Sequence, residues 1–67
     1  MERFLRRRDV VAITGLSRSQ VDRLTKAGQF PSRVTLGPNS SAWLASEVQA
    51  WIAERVAASR AKAPQAA

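Results

Sequence analysis

Cysteine and histidine are both missing from this 67-residue sequence. Their absence rules out disulfide staples and thiolate or imidazole metal sites, and with them a zinc finger. Tyrosine is missing as well. With no His, Cys or Tyr, no paired-carboxylate motif and no phosphate-cradling glycine loop, the chain lacks the groups for catalysis; an enzyme is not expected, nor a cofactor, metal or small-molecule ligand. Long apolar runs are lacking too, the longest being far short of a membrane span. The charged N-terminus is not followed by an apolar region of signal-peptide length, so a soluble cytoplasmic protein with no membrane partner is the expectation. Acidic residues are scarce, with Asp and Glu totalling 5 against 11 Lys and Arg, for a formal charge of +6 and a pI near 11.7. Such a balance points to a polyanion partner, against the alternatives of plain solubility or a basic membrane-surface peptide. Most of the positive charge is arginine, which favours bidentate recognition of phosphate and guanine.

What is present suffices for one small domain, 45% hydrophobic, with room for one core and one surface function. The stretch Leu16 to Gly28 carries the strongest local signal. Ser17 and Gln20 have the spacing of a capping box, Leu16 and Val21 that of a hydrophobic staple, and Gly28 can serve as the left-handed residue past the helix end. At about 100° per residue, Val21, Leu24 and Thr25 share one face. Ser19, Asp22, Arg23 and Lys26 share the other, flanked by Arg18 and Gln20. By itself this pattern is equally that of an amphipathic surface helix whose cations only solvate it.

Around this helix the rest of the chain reads in order. Residues 1–7 form a basic N-terminal arm, in which Phe4 or Leu5 anchors on the core; Arg3, Arg6, Arg7 and Arg8 either touch a nucleic-acid backbone or solvate a flexible terminus. From Arg7 or Arg8 to Thr14, Val10, Val11 and Ile13 predict a short first helix with Asp9 in its first turn, and Gly15 is the turn glycine. Helix, glycine turn and capped helix make a helix-turn-helix layout, although a generic helical hairpin has a similar pattern. Pro31 stops the second helix and Phe30 offers a buried ring. Arg33 to Leu36 alternates as a half-buried strand, with Val34 and Leu36 inward. Gly37 to Ser40 is turn chemistry, and Ser41 to Leu44 is the returning strand, with Trp43 facing in. A third helix is expected from a second capping box at Ser46 and Gln49, with Val48, Trp51, Ile52 and Val56 on its packing stripe. The domain is thus expected over 8–58, and 59–67 as an alanine-rich disordered tail.

The runs V-V-A-I-T-G-L-S-R-S-Q-V-D-R-L-T-K-A-G-Q-F-P, V-T-L-G and A-W-L-A-S-E-V-Q-A-W-I-A-E-R together resemble the AlpA-type phage and prophage regulatory proteins. That family is related to MerR-like winged helices and includes small excisionases. The likeness spans about Leu5 to Arg55. It implies an α+β, mostly helical fold: three helices, with a two-stranded β-hairpin wing between the second and third. It also implies sequence-specific binding of double-stranded DNA, as a transcriptional regulator of an integrated element or as a recombination directionality factor. The second helix would enter the major groove and the wing would lie on the backbone or minor groove. Carried onto this sequence, the DNA contacts are Ser17, Arg18, Ser19, Gln20, Arg23 and Lys26 in the helix, and Arg33, Asn39, Ser40 and Ser41 around the wing.

Asp22 departs from the resemblance, since relatives commonly carry an aromatic there. Its carboxylate is expected to orient Arg18 or Lys26, or to accept from a cytosine amino group, the orienting role being favoured. The wing also lacks an arginine that many relatives carry in its returning strand, which shifts load to Arg33. A different class of reading is an adaptor acting by protein contact with an integrase or polymerase subunit. Single-stranded nucleic-acid binding would need exposed aromatics, and both tryptophans read as core. So small a domain covers few base pairs, so cooperative self-association on DNA, or an integrase or recombinase partner, is expected to supply the rest.

Overall fold

The computed structural model describes residues 2–62. The chain opens with a two-residue strand, β1 (Phe4–Leu5), followed by helices α1 (Arg7–Thr14) and α2 (Arg18–Lys26). Strands β2 (Val34–Gly37) and β3 (Ser40–Leu44) come next, and the long helix α3 (Ala45–Lys62) ends the described chain. The result is the mostly helical α+β winged fold expected, with one addition. The sheet has three antiparallel strands in the order β1-β3-β2, so the hairpin is joined by a strand from the N-terminal arm. Phe4 pairs with Leu44 and Leu5 with Trp43. Leu5 is thereby the anchor, 2% exposed.

Local chemistry explains the first two helices. The Arg6 backbone N–H donates to Asp9 Oδ2 at 3.0 Å, half of a capping box at the start of α1. Gly15 ends α1 at φ 78°, donating to the Val11 carbonyl, and the Thr14 hydroxyl braces the turn by donating to Val10 O (2.7 Å) and accepting from Leu16 N (3.2 Å). In α2 both halves of the Ser17–Gln20 box are made: Ser17 N donates to Gln20 Oε1 at 2.9 Å and Gln20 N to Ser17 Oγ at 3.1 Å. Its far end is a Schellman motif, with Gln29 N bonded to Leu24 O (2.8 Å) and Gly28 N to Thr25 O (3.2 Å) while Gly28 sits at φ 76°.

The core is Leu5, Val10, Val21, Phe30, Trp43 and Val48, drawn from every element except β2 and closed by Leu16, Leu24, Trp51 and Ile52 among others. Phe30 stands edge-on to both tryptophans, at 6.3 Å from Trp43 and 4.8 Å from Trp51 between ring centroids. Trp51 is half-buried; its Nε1 donates to Gln29 O at 2.9 Å, which locks α3 to the end of α2.

Several expectations are corrected. Helix α3 does not begin on a Ser46 cap: it follows β3 without a break, starting at Ala45. Its first amides are taken by the N-terminal segment, Ala45 N donating to Arg3 O (2.8 Å) and Ser46 N to Glu2 Oε2 (3.4 Å), an oxygen that also accepts from the Ser46 hydroxyl (2.9 Å). Leu36 is 42% exposed rather than inward, because an irregularity in the β2–β3 register between Thr35 and Gly37 breaks the alternation. Val56 is exposed where α3 outruns the body of the domain. Residues 59–62, expected in the tail, continue α3; the remainder of that tail lies outside the described residues.

Candidate nucleic-acid interface

Helix α2 turns Val21 into the core and leaves Ser17, Arg18, Ser19, Gln20, Asp22, Arg23 and Lys26 exposed. The face expected from periodicity is therefore the free one. Arg23 and Lys26 lie in the last turn, where cations are favoured by the helix dipole. Two members of the expected set have another duty. Ser17 Oγ and Gln20 Oε1 each accept one bond in the capping box, which holds both side chains against the start of the helix. Any base contact by Gln20 is therefore made with its amide held in the capping geometry, its oxygen having one lone pair still free.

Asp22 is not paired with Arg18 or Lys26. Its Oδ1 meets Arg7 Nη2 at 3.0 Å, the one ion pair among the described residues. The bond crosses from α2 to α1 and braces the two helices. Sequence spacing favoured partners on the same helix; the true partner is brought close by the Gly15 turn, which folds the start of α1 against the middle of α2. Arg7 and Asp22 are 34% and 51% exposed, so the pair adds orientation more than stability.

The wing forms between β2 and β3. Pro38 fixes the first central position of the turn, and Asn39 takes the second with φ 57°, a conformation that asparagine tolerates well. Arg33 and Asn39 are exposed, while Ser40 and Ser41 are half-buried in the ladder opposite Gly37 and Thr35. Arg33, Asn39, Ser40 and Ser41 converge with Thr25 of α2 around an open hollow of about 460 Å³. The structure thus brings the four expected wing residues together, beside the C-terminal half of α2. One contact had no local signal in the sequence: Arg6 Nη1 donates to the Ser41 carbonyl at 3.1 Å, tying the N-terminal arginines to the wing across 35 positions.

The electrostatics of this side follow from the pairing. Arg18, Arg23, Lys26 and Arg33 have no carboxylate partner among the described residues, and Asp22 is engaged by Arg7. The face is cationic and furnished with hydroxyl and amide groups, which is the chemistry of a polyanion-binding surface. Trp43 is 1% exposed, and Trp51 lies between Phe30 and the Arg55 guanidinium, 5.1 Å above its ring. Neither offers the open stacking platform that single strands require.

Comparison with known proteins agrees with the residue pattern. The model of the family described as prophage CP4-57 regulatory protein (AlpA) matches residues 3–56. A curated relative, the uncharacterized protein ORF88 of Enterobacteria phage P4, is 52% identical over 56 residues. That alignment covers 84% of this chain and 64% of the relative, so the chain spans just under two thirds of the protein it matches. No solved structure matches the chain significantly. The family is one of regulatory proteins rather than enzymes, and no described helix is long and apolar enough to cross a membrane. With the family match running from β1 into α3 across both the helix-turn-helix and the wing, the chain belongs to the AlpA family of prophage regulatory proteins.

Proposed function

We propose that this protein binds double-stranded DNA sequence-specifically, with α2 in the major groove and the β2–β3 turn on the backbone or minor groove. In this role it controls transcription of a phage-type element or acts as a directionality factor in its recombination. The observation that carries the reading is the pairing pattern of α2. A helix locked at both ends presents Arg18, Arg23 and Lys26 on one exposed face without carboxylate partners among the described residues, next to a wing that carries Arg33.

Binding to duplex DNA over a range of salt concentrations tests it. If five to seven phosphates are contacted, the log–log slope is expected to be about −4 to −6. A slope near zero overturns the reading. Arg23→Ala is expected to lose roughly 1–3 kcal/mol at a preferred site and to blur the footprint, whereas Arg33→Ala weakens preferred and random duplexes alike. Footprinting on the attachment site and promoters of the encoding element separates regulator from directionality factor. A single domain covers few base pairs, so several protomers on repeated sites, or an integrase bound beside them, complete the specificity. Gel shifts on one, two and three tandem sites detect such cooperation as tighter binding of the later protomers.

A further inference from the structure

The three consecutive arginines at the start of α1 are not spread over the surface. Arg6, Arg7 and Arg8 meet Asn39, Ser41 and Trp43 around an open pocket of about 300 Å³. Arg6 is fixed there by its hydrogen bond to the Ser41 carbonyl at 3.1 Å. The nearby carboxylates offset the charge of Arg7 but pair with neither the Arg6 nor the Arg8 guanidinium. Asp22 is taken by Arg7 at 3.0 Å, and Asp9 accepts the Arg6 backbone N–H at 3.0 Å. Arg6 and Arg8 therefore face the pocket without a carboxylate partner among the described residues. Arg7 lines the same pocket but is committed to Asp22, which leaves Arg6 and Arg8 as its unpaired cations.

The lining selects the ligand. Guanidinium forks, an amide and a hydroxyl suit the non-bridging oxygens of a phosphate. The one aromatic present, Trp43, is buried and has no face for stacking a base, so a nucleoside has nothing to rest on. Asn39 and Ser41 also line the larger hollow that contains Arg33. The wing turn is thus flanked by two cationic hollows, one carrying Arg33 and the other Arg6 to Arg8.

We propose that the pocket at Arg6, Arg8, Asn39 and Ser41 is a second phosphodiester site, which grips the backbone of duplex DNA beside the wing. The proposal rests on the duplex-binding reading above and adds α1 to the interface. Arg8 is exposed and its side chain makes no hydrogen bond or ion pair among the described residues, so Arg8→Ala is the sharpest test. The full chain and this variant are compared on preferred and random duplexes across a salt series, with circular dichroism as the check on folding.

The expected result is a native spectrum, a log–log salt slope shallower by about one, and affinity lowered by roughly five- to ten-fold at 0.1 M salt on both duplexes. Arg8→Lys is expected to recover the slope. If the parent chain binds duplex DNA steeply with salt while Arg8→Ala matches it in slope and affinity, this site is refuted and the α2 reading stands. If the parent chain does not bind duplex DNA, both fall. A measurement independent of DNA is titration with inorganic phosphate, followed by backbone amide resonances. Saturable shifts at Asn39 and Ser41 that vanish in Arg8→Ala support the site; the same unsaturable drift in both proteins overturns it.

Discussion

Helices α2 and α3 are held at their starts in opposite ways. The first turn of α2 is satisfied from within, by Ser17 and Gln20. That of α3 is satisfied from the far end of the chain, by Glu2 and Arg3, 44 positions away in the case of Glu2 and Ser46. The difference separates two kinds of structural information. A cap built from neighbours is written within one short stretch of sequence, whereas a cap built from a distant segment exists only once the sheet has formed and brought β1 beside β3. Helix α2 is specified locally and then packed; α3 is specified by the packing.

The largest expected effect asks whether the local helix is truly independent. At 9 residues α2 is too short to persist alone. Trp43→Ala empties the centre of the core and is expected to destabilise by about 3–5 kcal/mol, enough to unfold so small a domain. Both helices should melt together in one transition by circular dichroism; retention of native ellipticity would contradict the core assignment. Ser17→Ala comes next. It removes the α2 cap and is expected to cost about 1 kcal/mol, read as a lowered melting midpoint, and Ser17→Gly should recover most of that loss. No change in the midpoint would mean that the box is not what holds this turn.

Glu2→Gln sharpens the other side of the comparison. It keeps an acceptor for Ser46 but removes the charge near the start of α3, so the expected loss is smaller, roughly 0.3–1 kcal/mol, and should shrink with added salt. No loss in Glu2→Gln, or one that does not change with salt, would show that the charge of Glu2 contributes nothing to the start of α3. The smallest effect belongs to Asp22→Asn. The exposed pair with Arg7 contributes between 0 and about 1 kcal/mol to stability. Loss of the negative charge should nonetheless strengthen binding to random duplex and steepen its salt dependence, measured by the same salt titration.

The same contrast explains what the sequence made legible. The bounds of α2 follow from Ser17, Gln20 and Gly28, all within one short stretch, and Phe30 and Trp43 were bulky enough to be placed in the core by pattern. Strand β1 left no such trace, because two residues are too few to show alternation, and its partner lies about forty positions on. Leu36 misled for a related reason: an irregular step in the ladder shifts the side chains after it, and nothing in V-T-L-G announces one. The exposed face of α2 was readable from its period. The engagement of Asp22 with Arg7, and of Arg6 with Ser41, was not, since both are made by the way α1 folds against α2 and the wing.

The short first strand and the irregular second one also bear on how copies of the protein behave near one another. A sheet with two open edges can recruit further strands, and here Phe4 and Leu36 place apolar side chains at those edges. Yet β1 offers only two residues before Arg6 and α1 begin, and β2 bends at its irregular step and runs into Pro38. Neither edge supplies a flat run long enough to template a fourth strand. The domain can therefore be crowded without its sheets growing into one another.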